Sequence, residues 1–180
     1  MPATPADLFA HLDRLGIATT TIEHAPVFTV AESAEVERRL PGGHTKNLFL
    51  KCKKGQLYLV VAEGHATIDL KSLHTTLGSG RLSFGRPELL LEVLGVPAGS
   101  VTPFALVNDT ARRIAVVLDA GLMRHDFINC HPLRSSATTN IARDELLRFI
   151  RSCGHEPRVL AVSDPAAGGA SSAGPSPEGA

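Results

Sequence analysis

The chain has no tryptophan, one tyrosine and seven phenylalanines in 180 residues. Too few aromatics are present for a nucleic-acid-stacking sheet of the RRM type. There is no excess of charge of either sign: Lys+Arg and Asp+Glu are both 18. That disfavours sequence-blind or sequence-specific DNA binding driven by counterion release, while leaving room for a local basic patch. The three cysteines, Cys52, Cys130 and Cys153, are odd in number and far apart, and no C-x-x-C occurs. This argues against a disulfide framework and a structural zinc site, and for a reducing, cytoplasmic setting. The longest apolar runs, 57–62 and 114–118, fall far short of the roughly 20 residues that span a bilayer. The start lacks the basic n-region of a signal peptide, so no membrane partner is expected. No P-loop, H-E-x-x-H, G-x-S-x-G or dinucleotide fingerprint is present, and the eight histidines show no metal-ligand spacing. Gly78-Ser79-Gly80 lacks the flanks of a nucleophile elbow and reads as a plain loop. No cofactor and no metal are expected.

What is present suits one globular domain. Hydrophobic residues make up 43% and charged residues 20% of the chain. A chain of this size buries roughly two thirds of its unfolded surface, enough for a core without staples. Residues 164–180 are almost wholly Pro, Ala, Gly and Ser, so a domain over 1–163 and a flexible tail over 164–180 are expected. The first helix is signed by Thr4 as N-cap, Pro5 at N1, Asp7 in the first turn and Gly16 as the stop. A strand over 17–23 follows, and Thr29 to Glu32 reads as a capping box for a second helix ending by Pro41. Residues 46–53 and 56–63 alternate as a hairpin about Lys54-Gly55. Helices are expected over 69–77 and 87–94, with strands over 104–108, 113–119, 126–131 and 133–140. A last helix over 143–153 and a strand over 159–162 complete the domain. Without regular β-α-β alternation, the expected fold is mixed α/β: a curved, largely antiparallel central sheet with helices packed around it.

Three places could carry chemistry. After Gly42-Gly43, the run His44-Thr45-Lys46-Asn47 opens a buried strand, and alternation puts Lys46 on the side of Leu48, Leu50 and Cys52. A lysine there either snorkels out at the strand end or forms a cation at a pocket mouth, suited to phosphate or carboxylate. In the loop 95–104, two prolines and two glycines fix a non-repetitive shape. It is either a rigid connector or a backbone grip for a small polar ligand. His131 precedes Pro132 and is held extended, with no acid in register to make a triad. Cys130, its neighbour, faces the other way on a strand and reads as core. From these patterns alone, neither a protein nucleophile nor a general base emerges.

Together these segments resemble one family. The carriers are Thr45-Lys46-Asn47-Leu48-Phe49-Leu50, Gly99-Ser100-Val101-Thr102-Pro103-Phe104, and Asn129-Cys130-His131-Pro132-Leu133 with Thr138-Thr139. They are similar to the YbaK / prolyl-tRNA-synthetase-associated editing domains, the trans-editing aminoacyl-tRNA deacylases. Within these the nearest likeness is to the PrdX (ProXp-ala) branch. The likeness runs from Pro5 to about Val162 in the same order and spacing. Cys130 stands where the family pattern suggests Phe, and Ser135-Ser136 where it suggests Asn-Asp. Both bear on substrate preference if that strand lines the pocket.

The resemblance implies metal-independent hydrolysis of the ester joining a wrong amino acid, alanine for this branch, to the 3′ end of proline tRNA. It places the essential cation on Lys46, a polar ligand on Asn47 and a pocket role on His131. Thr45 and the loop Gly99, Ser100, Val101, Thr102 and Pro103 would bind substrate. An activated ester needs only a placed water and a polarised carbonyl, which suits the lack of a triad. The implied partners are the acceptor end of tRNA(Pro), with prolyl-tRNA synthetase or an elongation factor as further candidates. A narrow pocket would exclude proline; Val30, Ile68 and Leu106 are candidate walls. RNA affinity would come from a local cluster of Lys46, Lys51, Lys53, Lys54, Arg81 and Arg86, although 51–54 also reads as a solubilising hairpin tip. Two alternatives stay open: the same chemistry on a cysteinyl, seryl or threonyl ester, and a non-catalytic nucleic-acid-binding module.

Overall fold

The computed structural model describes residues 1–27 and 30–163. The tail expected over 164–180 and the cap expected at Thr29 lie outside the described residues, as does the side chain of Val30. The elements run in the order α1 (Pro5–Arg14), β1 (Thr19–Glu23), α2 (Val30–Arg39), β2 (Gly43–Cys52), β3 (Leu57–Glu63) and α3 (Leu70–Leu77). There follow β4 (Leu82–Phe84), α4 (Pro87–Leu94), β5 (Ile114–Asp119), β6 (Phe127–Cys130), β7 (Ala137–Ala142), α5 (Arg143–Ser152) and β8 (Arg158–Leu160).

Local chemistry accounts for the helix ends. Thr4 Oγ accepts from the Asp7 backbone N–H at 3.1 Å, and the Asp7 carboxylate accepts from the Thr4 N–H at 2.9 Å. This reciprocal cap satisfies two otherwise orphaned donors. Asp69 caps α3 through the Lys71 N–H, while Gly78 and Gly95 close α3 and α4 in the left-handed conformation. Apolar stripes then bury one face of each helix: Leu8 and Leu12 of α1, Leu90, Val93 and Leu94 of α4, and Leu146, Phe149 and Ile150 of α5.

The eight strands form one mixed sheet in the order β1-β7-β6-β2-β3-β5-β8, with β4 on the edge of β2. The β1–β7, β2–β3, β2–β4 and β6–β7 ladders are antiparallel; β2–β6, β3–β5 and β5–β8 are parallel. β3, and β2 toward its C-terminal end, place core residues on both sides of the sheet. Phe49, Leu57, Leu59 and Val61 face the larger core with α1, α4 and α5; Leu50, Cys52, Tyr58 and Val60 face a smaller core closed by Leu73 and Leu77 of α3.

Three expectations are corrected. Residues 104–108 are not a strand but part of a 3₁₀ helix over Pro103–Asn108. Pro103 fixes a helical φ, Thr102 Oγ accepts from the Phe104 N–H, and Ala105 N–H bonds back to Thr102. The strand expected over 133–140 starts only at Ala137, because Leu133 adopts φ 67° and turns the chain. β4 was not expected at all: at three residues it is too short to show alternation.

Candidate active site

β2 is the element on which the site is built. It pairs with β6 only through Gly43↔Ile128 and His44↔Asn129. Beyond that the two strands part: Cys130 pairs with Thr139 on β7, whereas Lys46 pairs with Ala62 on β3. A cavity of about 220 Å³ opens at the fork, lined by Thr45, Lys46, Asn129, Cys130 and His131 among others. The two glycines make the fork possible. A Cβ on Gly42, which holds φ 106°, would lie 2.3 Å from the Phe127 carbonyl oxygen, and one on Gly43 would lie 2.7 Å from the His125 ring. A larger residue at 42 would push β2 off β6, and one at 43 would collide with the His125 and Leu122 side chains. Two asparagines lace the junction. Asn129 Nδ2 donates to Pro41 O at 3.1 Å, and Asn140 Nδ2 donates to Asn129 Oδ1 at 2.8 Å.

Lys46 shares its pleat face with Leu48, Leu50 and Cys52, as the alternation expects, and its stem lies across from the small Ala62. Its Nζ donates to the Ala66 carbonyl and makes no ion pair among the described residues. An ammonium carries three donors, so further N–H groups are available to a ligand. Thr45 Oγ donates to Asn129 O at 2.9 Å and so ties β2 to β6 beside the cavity.

His131 Nδ1 lies 2.8 Å from Ala137 O. A carbonyl only accepts, so Nδ1 carries the proton and Nε2 presents a lone pair. Burial pushes the imidazole below its ordinary pKa, against the Ala137 carbonyl, which raises it; nearby His24 lowers it further. The ring is therefore neutral near pH 7. The left-handed Leu133, a strained conformation for a bulky residue, makes the turn that brings Ala137 back to His131. Cys130 is buried, and burial pushes its thiol up to about 12. It is no nucleophile at neutral pH.

His44 and Thr138, from segments already singled out, also line the wall, and sequence reasoning missed His24 after β1, Ser33, Val36 and Glu37 on α2, and His65 in the turn after β3. The Glu37 carboxylate accepts from His65 Nε2 at 3.1 Å and from Ser33 Oγ at 3.2 Å. His24 Nε2 and Thr138 Oγ lie 2.8 Å apart. The spacing of Ser33, Val36 and Glu37, at i, i+3 and i+4, was the available signal. The cavity thus holds one ammonium, one carboxylate, four imidazoles and the hydroxyl groups of Ser33, Thr45 and Thr138. No cluster of three His, Cys, Asp or Glu suited to a metal occurs among the described residues.

Other expected site residues lie elsewhere. Asn47 does not line the cavity; it falls on the pleat face of Thr45, opposite Lys46, and one step further along β2 from the fork. Its Nδ2 reaches Thr45 Oγ at 3.4 Å, and its buried Oδ1 has no hydrogen-bond partner. The Gly99–Pro103 loop is also absent from the lining. Ser100, Thr102 and Pro103 are buried, Val101 packs on the larger core and Gly99 is exposed. Of the candidate walls, Leu106 is buried in the larger core and Ile68 packs on the smaller one, so neither lines the cavity.

No helix among the described residues is long and apolar enough to cross a membrane. The profile of the aminoacyl-tRNA editing domain matches residues 24–149, which span the whole cavity wall. The chain is 43% identical over 162 residues to "Prolyl-tRNA synthetase associated domain-containing protein 1" of Danio rerio, covering 87% of this chain and 88% of that protein. It is 37% identical over 149 residues to "Prolyl-tRNA editing protein ProX" of Acetoanaerobium sticklandii, covering 82% and 91%. In fold it is similar to the crystal structure of hypothetical protein APE2540 (TM-score 0.68, 22% identity, covering 89% and 100%). It is also similar to a candidate trans-editing enzyme for prolyl tRNA synthetase (TM-score 0.66, 23% identity, covering 89% and 98%). With the profile spanning well over half its length and relatives this close, the chain belongs to the aminoacyl-tRNA editing domain family of YbaK and ProX type.

Proposed function

We propose that this protein hydrolyses the ester between a wrong amino acid, alanine in the first instance, and the 3′ end of proline tRNA. The observation that carries the reading is the meeting of Lys46, Thr45 and His131 around one small cavity at the β2–β6 fork. Proline tRNA is favoured because relatives at 37–43% identity over most of the chain are named for prolyl-tRNA editing or association with its synthetase. Alanine is what the likeness to the PrdX branch implies, and a cavity of about 220 Å³, below the roughly 300–1,000 Å³ usual for ligand sites, suits a small aminoacyl group. A synthetase pocket rejects a substrate lacking a methylene by only about 1–3 kcal/mol, so a second, smaller sieve is the physical remedy.

The residues divide the work by chemistry. The Lys46 ammonium pairs with the terminal phosphate and fixes the acceptor end. The Glu37 carboxylate suits the free α-ammonium of the aminoacyl group. The lone pair on His131 Nε2 accepts a hydrogen bond from water and orients its oxygen toward the ester carbon. Water oxygen bonds to that carbon, the carbon–oxygen bond to ribose breaks, and the ribose oxygen leaves with a proton, yielding free amino acid and tRNA.

A deacylation panel tests the reading. Purified protein is incubated with alanyl-, prolyl-, cysteinyl-, seryl- and threonyl-tRNA(Pro). Rapid loss of the alanyl ester with the prolyl ester spared is expected. Preference for another ester would reassign the amino acid, and no turnover of any would remove the enzymatic reading.

A further inference from the structure

The hydrolysis described above leaves one pair of polar side chains on the cavity wall unused. Thr138 lines the cavity from β7, and His24 lines it from the turn after β1. Thr138 is only 5% exposed. The antiparallel ladder between β6 and β7 ends at Cys130↔Thr139. One step further in that register, His131 and Thr138 stand opposite each other on one pleat face, where the Cβ atoms of facing residues lie roughly 5 Å apart. The His24 and His131 ring centroids are 6.4 Å apart.

The partners of His24 fix where its proton and that of Thr138 go. His24 Nδ1 lies 2.8 Å from Ala25 O. A carbonyl only accepts, so Nδ1 carries the proton, and in the neutral ring Nε2 has only a lone pair. Thr138 Oγ, 2.8 Å from that Nε2, therefore gives its one proton to His24. Its oxygen is left with lone pairs alone. The His24 N–H also donates to Ser136 O at 3.0 Å, so backbone and side chain alike tie His24 to the segment around β7. Thr139, the next residue along β7, faces the other way and pairs its hydroxyl with Thr21 Oγ at 2.8 Å. The cavity is thus faced by two acceptors with no proton to offer, His131 Nε2 and Thr138 Oγ. Water has two protons. With both held by acceptors, the oxygen lone pairs are what remains to meet a carbonyl carbon.

We propose that Thr138 Oγ is the second acceptor for the attacking water, and that His24 is a positioning residue that acts through Thr138 by keeping its hydroxyl proton turned away from that water. The proposal rests on the hydrolase reading of the cavity. The water oxygen bonds to the ester carbon; one of its protons ends on the departing ribose oxygen and the other on the released carboxyl group. Thr138 and His24 keep their own protons over the cycle.

The test uses Thr138→Val, which keeps the shape of threonine and removes the acceptor, and Thr138→Ser, which restores it. His24→Phe and the His24→Phe/Thr138→Val double variant complete the set, each checked for a thermal midpoint near wild type. Deacylation of alanyl-tRNA(Pro) is measured at pH 8 in water alone and with added hydroxylamine, a stronger nucleophile that attacks the same carbon through nitrogen and yields alanyl hydroxamate; the uncatalysed rates are subtracted. Thr138→Val should lower kcat with water at least about tenfold, the worth of one hydrogen bond, with KM within about twofold of wild type. It should also raise the ratio of hydroxamate to free alanine, a ratio that does not depend on how much of the protein is folded. Thr138→Ser should stay within about threefold of wild type in both readouts. His24→Phe should lower kcat, and the double variant should be no slower than Thr138→Val, because the two side chains act as one unit. Nitrogen-15 spectra at pH 8 should place the ring proton of His24 on Nδ1. A wild-type kcat and product ratio in Thr138→Val would overturn the proposal. So would a loss confined to KM, which would make Thr138 a substrate-binding group, additive losses in the double variant, or a His24 proton on Nε2. The two readings fail differently: no turnover of any ester by wild type removes the hydrolase and the water role together, whereas turnover that Thr138→Val leaves untouched removes the water role alone.

Discussion

Gly42→Ala gives a worked test of why the chain opens its cavity where it does. Alanine at φ 106° is strained, at about 1–2 kcal/mol. Its Cβ would also lie 2.3 Å from the Phe127 carbonyl oxygen and 2.8 Å from its carbon. That neighbour is backbone of β6 and cannot rotate away, so β2 and β6 must separate by roughly an ångström. The contact at risk is short, since only Gly43 and His44 pair with β6. Losing it costs about 1 kcal/mol per hydrogen bond. The sum is about 3–4 kcal/mol, a fall of about 10 °C in thermal midpoint for a chain of this size. Gly16→Ala is the matched control: φ is also positive, at 70°, but nothing lies within 4 Å of the added Cβ. It should cost about 1 kcal/mol, or about 3 °C. Differential scanning fluorimetry reads both, and deacylation of alanyl-tRNA(Pro) should fall in Gly42→Ala alone, because Thr45 and His131 would no longer flank one cavity. Equal midpoints for the two variants would refute the argument that close approach, and not backbone freedom alone, requires glycine at position 42.

Other outcomes follow from the same geometry. Burial depresses the pKa of His131 and of His155, so the unfolded chain binds more protons below about pH 6.5. Stability present above that pH is lost as pH falls toward the folded-state values; the thermal midpoint should drop between pH 7.5 and 5.5, and less steeply in His131→Gln. An unchanged midpoint over that range would contradict the burial argument. Cys130, with its thiol near pKa 12, should resist iodoacetamide at pH 8 in the native protein and react once denatured, as peptide mass spectrometry would show. Native labelling at Cys130 would mean the fork is open. Glu37→Gln should raise KM for alanyl-tRNA(Pro) by about tenfold, the worth of one charged hydrogen bond, with a folded midpoint within a few degrees of wild type. An unchanged KM would remove Glu37 from ammonium recognition.

Much of the scaffold is legible because its signals are local. Thr4 and Asp7, Pro87 and Gly95, and the alternation through Leu48, Leu50 and Cys52 each fix a cap, a boundary or a face within a few residues. The face of Lys46 was readable for that reason. Residues 104–108 misled because their apolar composition suits a strand, while Pro103 and the Thr102 hydroxyl dictate a 3₁₀ turn. The cavity was half legible. Thr45, Lys46 and His131 come from short segments, but their meeting depends on a two-residue parallel ladder between strands about 85 positions apart. No periodicity encodes that ladder. His24, Glu37 and His65 join the wall from three further elements for the same reason. The cations Lys51, Lys53, Arg81 and Arg86 were visible in the sequence only as a list. That they gather around Phe84, with Lys46 apart from them at the fork, comes from the pairing of β4 with β2.

The account turns on the Lys46 ammonium, and Lys46→Met measures it while keeping the length of the stem. The folded protein loses one hydrogen bond to Ala66, about 1 kcal/mol, so the thermal midpoint should fall by only about 2–4 °C. Loss of a charge-assisted bond to the substrate phosphate, about 1.5–3 kcal/mol, should lower kcat/KM for alanyl-tRNA(Pro) by at least about tenfold. A folded Lys46→Met protein that clears alanyl-tRNA(Pro) at the wild-type rate would contradict the central claim.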